Sequence, residues 1–329
     1  MNIEKKINSL SKYYKDKYGF RVFKICLSTK IECPKRSLSK NNNEYSDECV
    51  FCVKNTFVDT RNSNCENYEK SSPPGPYQAG QNEENDIISQ INYMIDKLKS
   101  KVKTGGYIAY FHDNTSLYGD TEYLYTLFKE ADRHPEILEL IISTRPDYLP
   151  EILLKKISEL NKPITIEIGV QTTSDKSLKY LNRGHTQADN QKAIEILLKY
   201  SFRIGVHIIL GIPGETEDDI DKTIHWINSN EMISDVKIHH LAVFKGSKLA
   251  NMIEKKDIID LDSYIRLLAY FIRNLRNDLT ISRLFTSNLN RHQTMLNNFP
   301  GDKRMWINKF LNEFDKISHT PNEIWGKKY

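Results

Sequence analysis

The sequence predicts an α/β fold built on a parallel sheet, and three observations carry that expectation. Between Val22 and Val243, six short apolar runs alternate with segments of helical spacing. The runs are near-continuous Ile, Val and Leu, which suits strands buried on both faces, and such βα alternation implies right-handed crossovers. Polar or Gly-rich clusters follow the runs, where parallel α/β folds place their ligands. An open doubly wound sheet and a barrel both fit, but six units fall short of the eight in a complete (β/α)8 barrel.

The elements follow in order. Residues 1–17 read as a short amphipathic helix and 21–28 (RVFKICLS) as the first strand. A long cysteine-bearing loop comes next, and 61–84, with Pro73, Pro74, Gly75 and Pro76, is irregular. Helical spacing then covers 86–103, 121–132, 151–160, 174–181, 187–200 and 217–229. The intervening strands are 106–111, 138–143, 164–170, 203–210 and 234–243. Beyond Phe244 the rhythm changes to a helix at 258–275, a strand at 279–285 and a helix at 303–317. This divides the chain into a core, 1–250, and a C-terminal extension, 251–329, packed on the sheet edge and tied to substrate choice.

Composition narrows the class. With 329 residues, 39% hydrophobic and 27% charged, the chain can bury a sizeable core. No window reaches the length of a membrane span, and residues 1–10 lack the apolar run of a signal peptide, so a cytoplasmic protein with no membrane partner is expected. The first 60 residues carry 12 Lys+Arg against 7 Asp+Glu, and the last 80 carry 13 against 9. Basic ends around an acidic middle suit a polyanion, and equally suit solvated lysines.

All five cysteines fall between Cys26 and Cys65, a clustering that points to local metal chemistry rather than to a disulfide framework. Cys33-x15-Cys49-x2-Cys52 offers three thiolates, enough to hold a [4Fe–4S] cluster and leave one iron open. A closed zinc site would need a fourth ligand, for which Cys65 is the candidate, and unliganded thiols remain a third possibility. Cys26 lies within the first strand, where cysteine serves as a small buried hydrophobe.

Phe51 stands just before the last cysteine in C-V-F-C, and here the chain resembles the radical S-adenosylmethionine (SAM) superfamily. The superfamily's usual spacing is CxxxCxxC. The long first gap resembles one branch, the YhcC/YtqA-like proteins, related to the catalytic subunit of Elongator but without its acetyltransferase domain. The resemblance runs from about Tyr13 to Ala250 through YGFRVFKI, Cys33–Pro34, CVFC, TRPDYLP (144–150), IEIGVQTTSDKSLKYLNRGHT (166–186), HIILGIPGET (207–216) and KIHHLAVFKGSKLA (237–250). It implies a partial (β/α)6 parallel-stranded radical SAM barrel with a small C-terminal α+β extension.

The resemblance also implies the chemistry: SAM chelating the open iron, reductive cleavage to a 5′-deoxyadenosyl radical, and hydrogen abstraction from a substrate, with the protein orienting the cofactors. It makes Cys33, Cys49 and Cys52 the cluster ligands and sets Phe51 against the adenine. Glu167 and Gln171 share a face of the fourth strand, near SAM. Arg183 meets the SAM carboxylate through its planar fork. Gly211 and Pro213 lie along the adenine, Glu215 beside them opening the next helix, with Thr144 and His239 at the rim. His112, Asp113 and Asn114 occupy the strand-two position that binds the SAM amino group, although HDNTS departs from the branch's Q-x-Y-T-N-T. Lys245 and Ser247 are candidate substrate contacts.

The resemblance favours modification of a tRNA wobble uridine, with basic ends and aromatics (Tyr13, Tyr14, Tyr18, Trp306, Trp325) against RNA and an electron donor such as flavodoxin or ferredoxin. A small-metabolite substrate is the alternative within the same chemistry. A zinc-stabilised, non-catalytic α/β binding module is the alternative outside it.

Overall fold

The computed structural model describes residues 6–35, 48–53, 87–99, 105–112, 114–286 and 299–316. The predicted irregular segment 61–84, Cys65, Asp113 and Trp325 lie outside the described residues. Seven parallel strands pair in simple chain order and curl into a half-barrel. They are β1 (Val22–Leu27), β2 (Gly106–Phe111), β3 (Ile137–Thr144), β4 (Ile164–Gln171), β5 (Arg203–Leu210), β6 (Ile233–His240) and β7 (Thr280–Arg283). The seventh strand is one more than the six βα units expected; it comes from the C-terminal segment and extends the sheet beyond β6.

Period-two alternation sorts the strands' side chains onto two faces. Ile25, Leu27, Ala109, Phe111, Ile142, Ile166, Ile168, Val206, Ile208, Val236 and Ile238 face the helices in one continuous core. That outer layer comprises α2 (Ile87–Lys99), α3 (Thr121–Arg133), α4 (Glu151–Ser158), α5 (Asp175–Tyr180), α6 (Gln187–Leu197) and α7 (Glu217–Ser229). Helices α6 and α7 each open on a capping box, Thr186 with Asp189 and Thr216 with Asp219. After α8 (Leu249–Met252), α9 (Leu261–Asn274) buries Tyr264, Leu268 and Phe271 in the same core, and α10 (Lys303–Phe314) packs on α9.

The inner face is lined differently. Tyr14, from α1 (Leu10–Tyr18), packs there on Ile108, Tyr110 and Ile141. The chain before α1 runs parallel to β7, with the Ile281 N–H donating to Asn8 O at 2.8 Å. The helix then crosses the mouth of the barrel, where Tyr18 Oη donates to Glu139 Oε1 at 2.6 Å and Lys17 also pairs with Glu139.

This packing corrects the expected role of the aromatics. Tyr14 is buried, Tyr13 lies 3.8 Å under the Arg203 guanidinium, and Trp306 is buried against Phe285 and Phe299 with its Nε1–H on Pro300 O. These rings serve the core and the barrel mouth, and so are not free to stack on bases. No described helix is long and apolar enough to cross a membrane.

Candidate active site

The cysteine segment 48–53 is stitched onto the C-terminal rim of the sheet. Its turn is closed by Cys52 N–H on Cys49 O at 3.0 Å. Val50 bonds in both directions, its N–H to Leu181 O at 3.1 Å and its carbonyl to the N–H of Leu249 at 2.8 Å. Asn182 Nδ2 holds Glu48 O at 3.0 Å, and Lys35 Nζ holds Asn182 O at 2.8 Å. Phe51 packs into a small apolar group with Val50, Leu181, Ile209, Ile212 and Leu241. The two cysteine-bearing segments therefore converge on the turn after α5.

Two arginines form the electrostatic centre. Arg183 donates through Nη1 to Cys49 Sγ at 3.3 Å and through Nη2 to Gly169 O at 2.8 Å. Arg145 donates to Arg183 O at 2.7 Å and forks onto Asp147 at 2.8 and 2.7 Å. Arg183 Nε and Arg145 Nη1 are buried with no hydrogen-bond partner. The hydrogen bond with Cys52, then the charges of Arg183 and Arg145, overcome burial and hold the Cys49 thiol well below its ordinary range, which favours the thiolate that a metal needs. Cys33 lies within the electrostatic reach of Arg145.

The remaining expected residues divide by location. Asn114 Nδ2 donates to Ile31 O at 3.1 Å, tying the loop after β2 to the approach to Cys33. His112 stacks on Tyr110, ring centroids 4.7 Å apart. Gln171 ends β4 in the left-handed region, φ 71°. Thr144 donates its hydroxyl to Tyr148 O at 2.9 Å, closing its own turn. A side chain at Gly211 would meet Ile259, so this glycine admits the C-terminal segment. Glu215 lies outside α7; its carboxylate accepts from Thr172 Oγ1 at 2.6 Å, and burial pushes it up to about 7. Ser247 Oγ closes a turn onto Phe244 O at 2.7 Å, and Lys245 is exposed.

Glu167 does not sit at the rim. It is the fourth residue of β4 and points into the barrel, where the carboxylate accepts from His207 Nε2 (2.7 Å), Tyr110 Oη (2.9 Å), Ser143 Oγ (3.1 Å), Lys24 Nζ and Lys237 Nζ (both 3.2 Å). Burial opposes its ionisation, but Lys237, Lys24 and His207 hold it well below the usual carboxylate range. Burial likewise lowers Lys237 to about 7 and His207 to about 4. His239 turns toward His207, whereas His240 packs outward on Tyr264 and Phe299. The sequence reading gave no role to Arg145, Lys24, Tyr110, His207 or Lys237. Period-two spacing from His112 and His239 would have placed Tyr110 and Lys237 on the inner face.

Residues 46–227 match the Radical SAM superfamily and 233–312 the Radical_SAM C-terminal domain; the chain belongs to the radical SAM superfamily. Within it the chain groups with MJ0486 of Methanocaldococcus jannaschii, 31% identical over 83% of this chain and 78% of that protein, and YtqA of Bacillus subtilis, 25% identical over 86% and 82%. A tRNA uridine(34) acetyltransferase of Methanocaldococcus infernus is 33% identical over 37% of this chain and 23% of its own length. Among solved structures, the archaeal Methanocaldococcus infernus Elp3 with an N-terminal deletion shares the fold, with a TM-score of 0.63 at 17% identity. The match covers 90% of this chain but only 63% of that one, less than two thirds.

Family membership makes the protein an enzyme and sets aside the zinc-stabilised binding module; its cofactors are a [4Fe–4S] cluster and SAM. The donor chemistry fits a cluster: a Cys49 thiol biased toward the thiolate, Cys52 hydrogen-bonded to it, and two buried guanidinium N–H groups without partners beside them. Among the described residues, no group of three His, Cys, Asp or Glu side chains is already gathered as a metal site.

Proposed function

We propose that this chain is a radical SAM enzyme that modifies tRNA at a wobble uridine, with Cys33, Cys49 and Cys52 as cluster ligands. The observation that carries the radical chemistry is the buried Arg183–Cys49 contact on the strand rim, braced by Arg145. The tRNA part is supported by the regional likeness to the tRNA uridine(34) acetyltransferase and by the basic ends of the chain.

When bound, the cluster and SAM supply a 5′-deoxyadenosyl radical fed by a low-potential donor such as flavodoxin or ferredoxin. The protein's own residues do the rest. Arg183 and Arg145 favour the Cys49 thiolate that ligates. Gly169 leaves the space in which Arg183 reaches both Cys49 and the β4 backbone. Phe51, His112, Gln171, Gly211, Pro213 and His239 are the contacts proposed for SAM. Arg183 is proposed to meet the SAM carboxylate while bracing the cysteine segment, since its Nε–H is still without a partner. The inner face, with Tyr110, Glu167, His207 and Lys237, receives the substrate.

The test uses the reconstituted enzyme, SAM and a reductant with tRNA from a strain lacking this gene, followed by nucleoside mass spectrometry. A new or consumed modification at the wobble position supports the reading. Turnover of SAM with no change in any tRNA nucleoside removes the tRNA part and favours a small-metabolite substrate.

A further inference from the structure

Charge inside the barrel, beneath the cysteine rim, does not balance. Lys24 from β1 and Lys237 from β6 pair with the carboxylate of Glu167, and Arg283 from β7 adds its charge beside Lys237. The other acids nearby have their own direct ion pairs, although Asp235 Oδ1 is left without a partner and Lys24 also bears on it. Asp235 is held by Arg203 at 2.5 Å, and Glu139 by Lys17 and Tyr18. Arg283 pairs in register with Lys237 across the β6–β7 ladder, which places both side chains on the same sheet face. Its charge bears on Lys237, His207, His239 and Tyr110, all of the inner face. Yet among the described residues the Arg283 side chain makes no hydrogen bond or ion pair.

A half-buried guanidinium beside a buried amine, with the nearby Glu167 carboxylate already receiving five donors from other residues, is unfavourable until an anion joins it. The planar fork of arginine suits a carboxylate or phosphate held through two hydrogen bonds. His207 and His239, kept neutral by burial, add imidazole rings to the same wall without adding charge. We infer that Arg283, with Lys237, forms an anion clamp inside the barrel that takes a compact carboxylate- or phosphate-bearing group of the substrate. The inference rests on the proposal that the inner face is the substrate side of the active site. It gives β7, and through it the C-terminal segment, a direct part in substrate choice.

The experiment measures anion binding, not turnover. Acetate and inorganic phosphate are titrated separately into the reconstituted wild-type protein and Arg283→Gln, followed by ligand NMR line broadening. A drop in affinity of about tenfold or more in the variant, with partial recovery in Arg283→Lys, is expected. Acetate binding alone identifies a carboxylate, and phosphate binding alone a phosphate. Equal binding by wild type and Arg283→Gln, or no binding of either anion by the wild type, overturns the clamp. Should Arg283→Gln not fold, phenylglyoxal labelling of wild-type Arg283, mapped by mass spectrometry, replaces it; the anion that binds must protect this residue, and undiminished labelling overturns the clamp. The tRNA reading stands or falls separately. Wobble modification without Arg283-dependent anion binding sinks only the clamp, and Arg283-dependent binding without any change in tRNA sinks only the tRNA substrate.

Discussion

A methyl group on Gly169 would sit 2.9 Å from Gln171 Nε2 and 3.0 Å from Arg183 Nη2, closer than side chains tolerate. Gly169→Ala must therefore push Arg183 away from Cys49 or distort the end of β4. The expected result is a folded protein that takes up markedly less iron and sulfide on reconstitution, read from its visible absorption. Full cluster loading in this variant would show that the Arg183–Cys49 contact is dispensable. Deeper in the barrel, Glu167→Gln removes the carboxylate paired with both Lys24 and Lys237. Breaking a buried pair in this way costs about 3–5 kcal/mol, which urea denaturation reads as a lowered midpoint. An unchanged midpoint would mean that the interior is wetter than its geometry implies.

At the scale of elements, α1 is the feature least expected from its residues. Its sequence reads as an ordinary amphipathic helix, yet it crosses the barrel mouth with Tyr14 buried. Tyr14→Ala empties an aromatic site and is expected to cost about 3–5 kcal/mol, measured by chemical denaturation; a loss below about 1 kcal/mol would show that the mouth closes without it. The strands were legible because both faces are apolar and the period is two, and all six expected between residues 21 and 243 form within a few residues of their predicted ends. Helix α1's destination was not legible, because it depends on Glu139 and Arg203 more than 120 residues away in the chain. Nor was the pairing of β7, a four-residue strand, in the same sheet. The site was half legible. Motif order located the rim and β4 ends within one residue of its expected end, but the five partners that meet Glu167 inside the barrel come from strands β1, β2, β3, β5 and β6, which spacing within β4 does not reveal.

For the whole molecule, packing runs across residue 250. Tyr264, Leu268 and Phe271 belong to the same core as the strands, and β7 completes the sheet. A fragment of residues 1–250 is therefore expected to be aggregated or molten; a cooperative unfolding transition from that fragment would contradict this. Acid stability follows from buried histidines. Burial lowers His185 to about 2, His207 to about 4 and His240 to about 3, whereas in the unfolded chain each titrates near 6.5. Below about pH 6.5 the unfolded state binds more protons, so stability falls as pH drops from 6.5 toward 4. Glu215, raised to about 7 by burial, and Asp235, also raised, pull the other way, while His239 and His134, also lowered, add to the decline. Denaturation of the cofactor-free protein across that range should show the decline, and a flat profile would mean that the histidines are hydrated.

The central claim is that Cys33, Cys49 and Cys52 hold a cluster that cleaves SAM. The direct measurement is anaerobic reconstitution with iron and sulfide, followed by dithionite-driven SAM cleavage, beside a Cys33→Ala, Cys49→Ala, Cys52→Ala variant. The account predicts a brown wild type that releases 5′-deoxyadenosine and a variant that does neither. A colourless wild type that leaves SAM intact, or a triple variant that still cleaves it, would contradict the account.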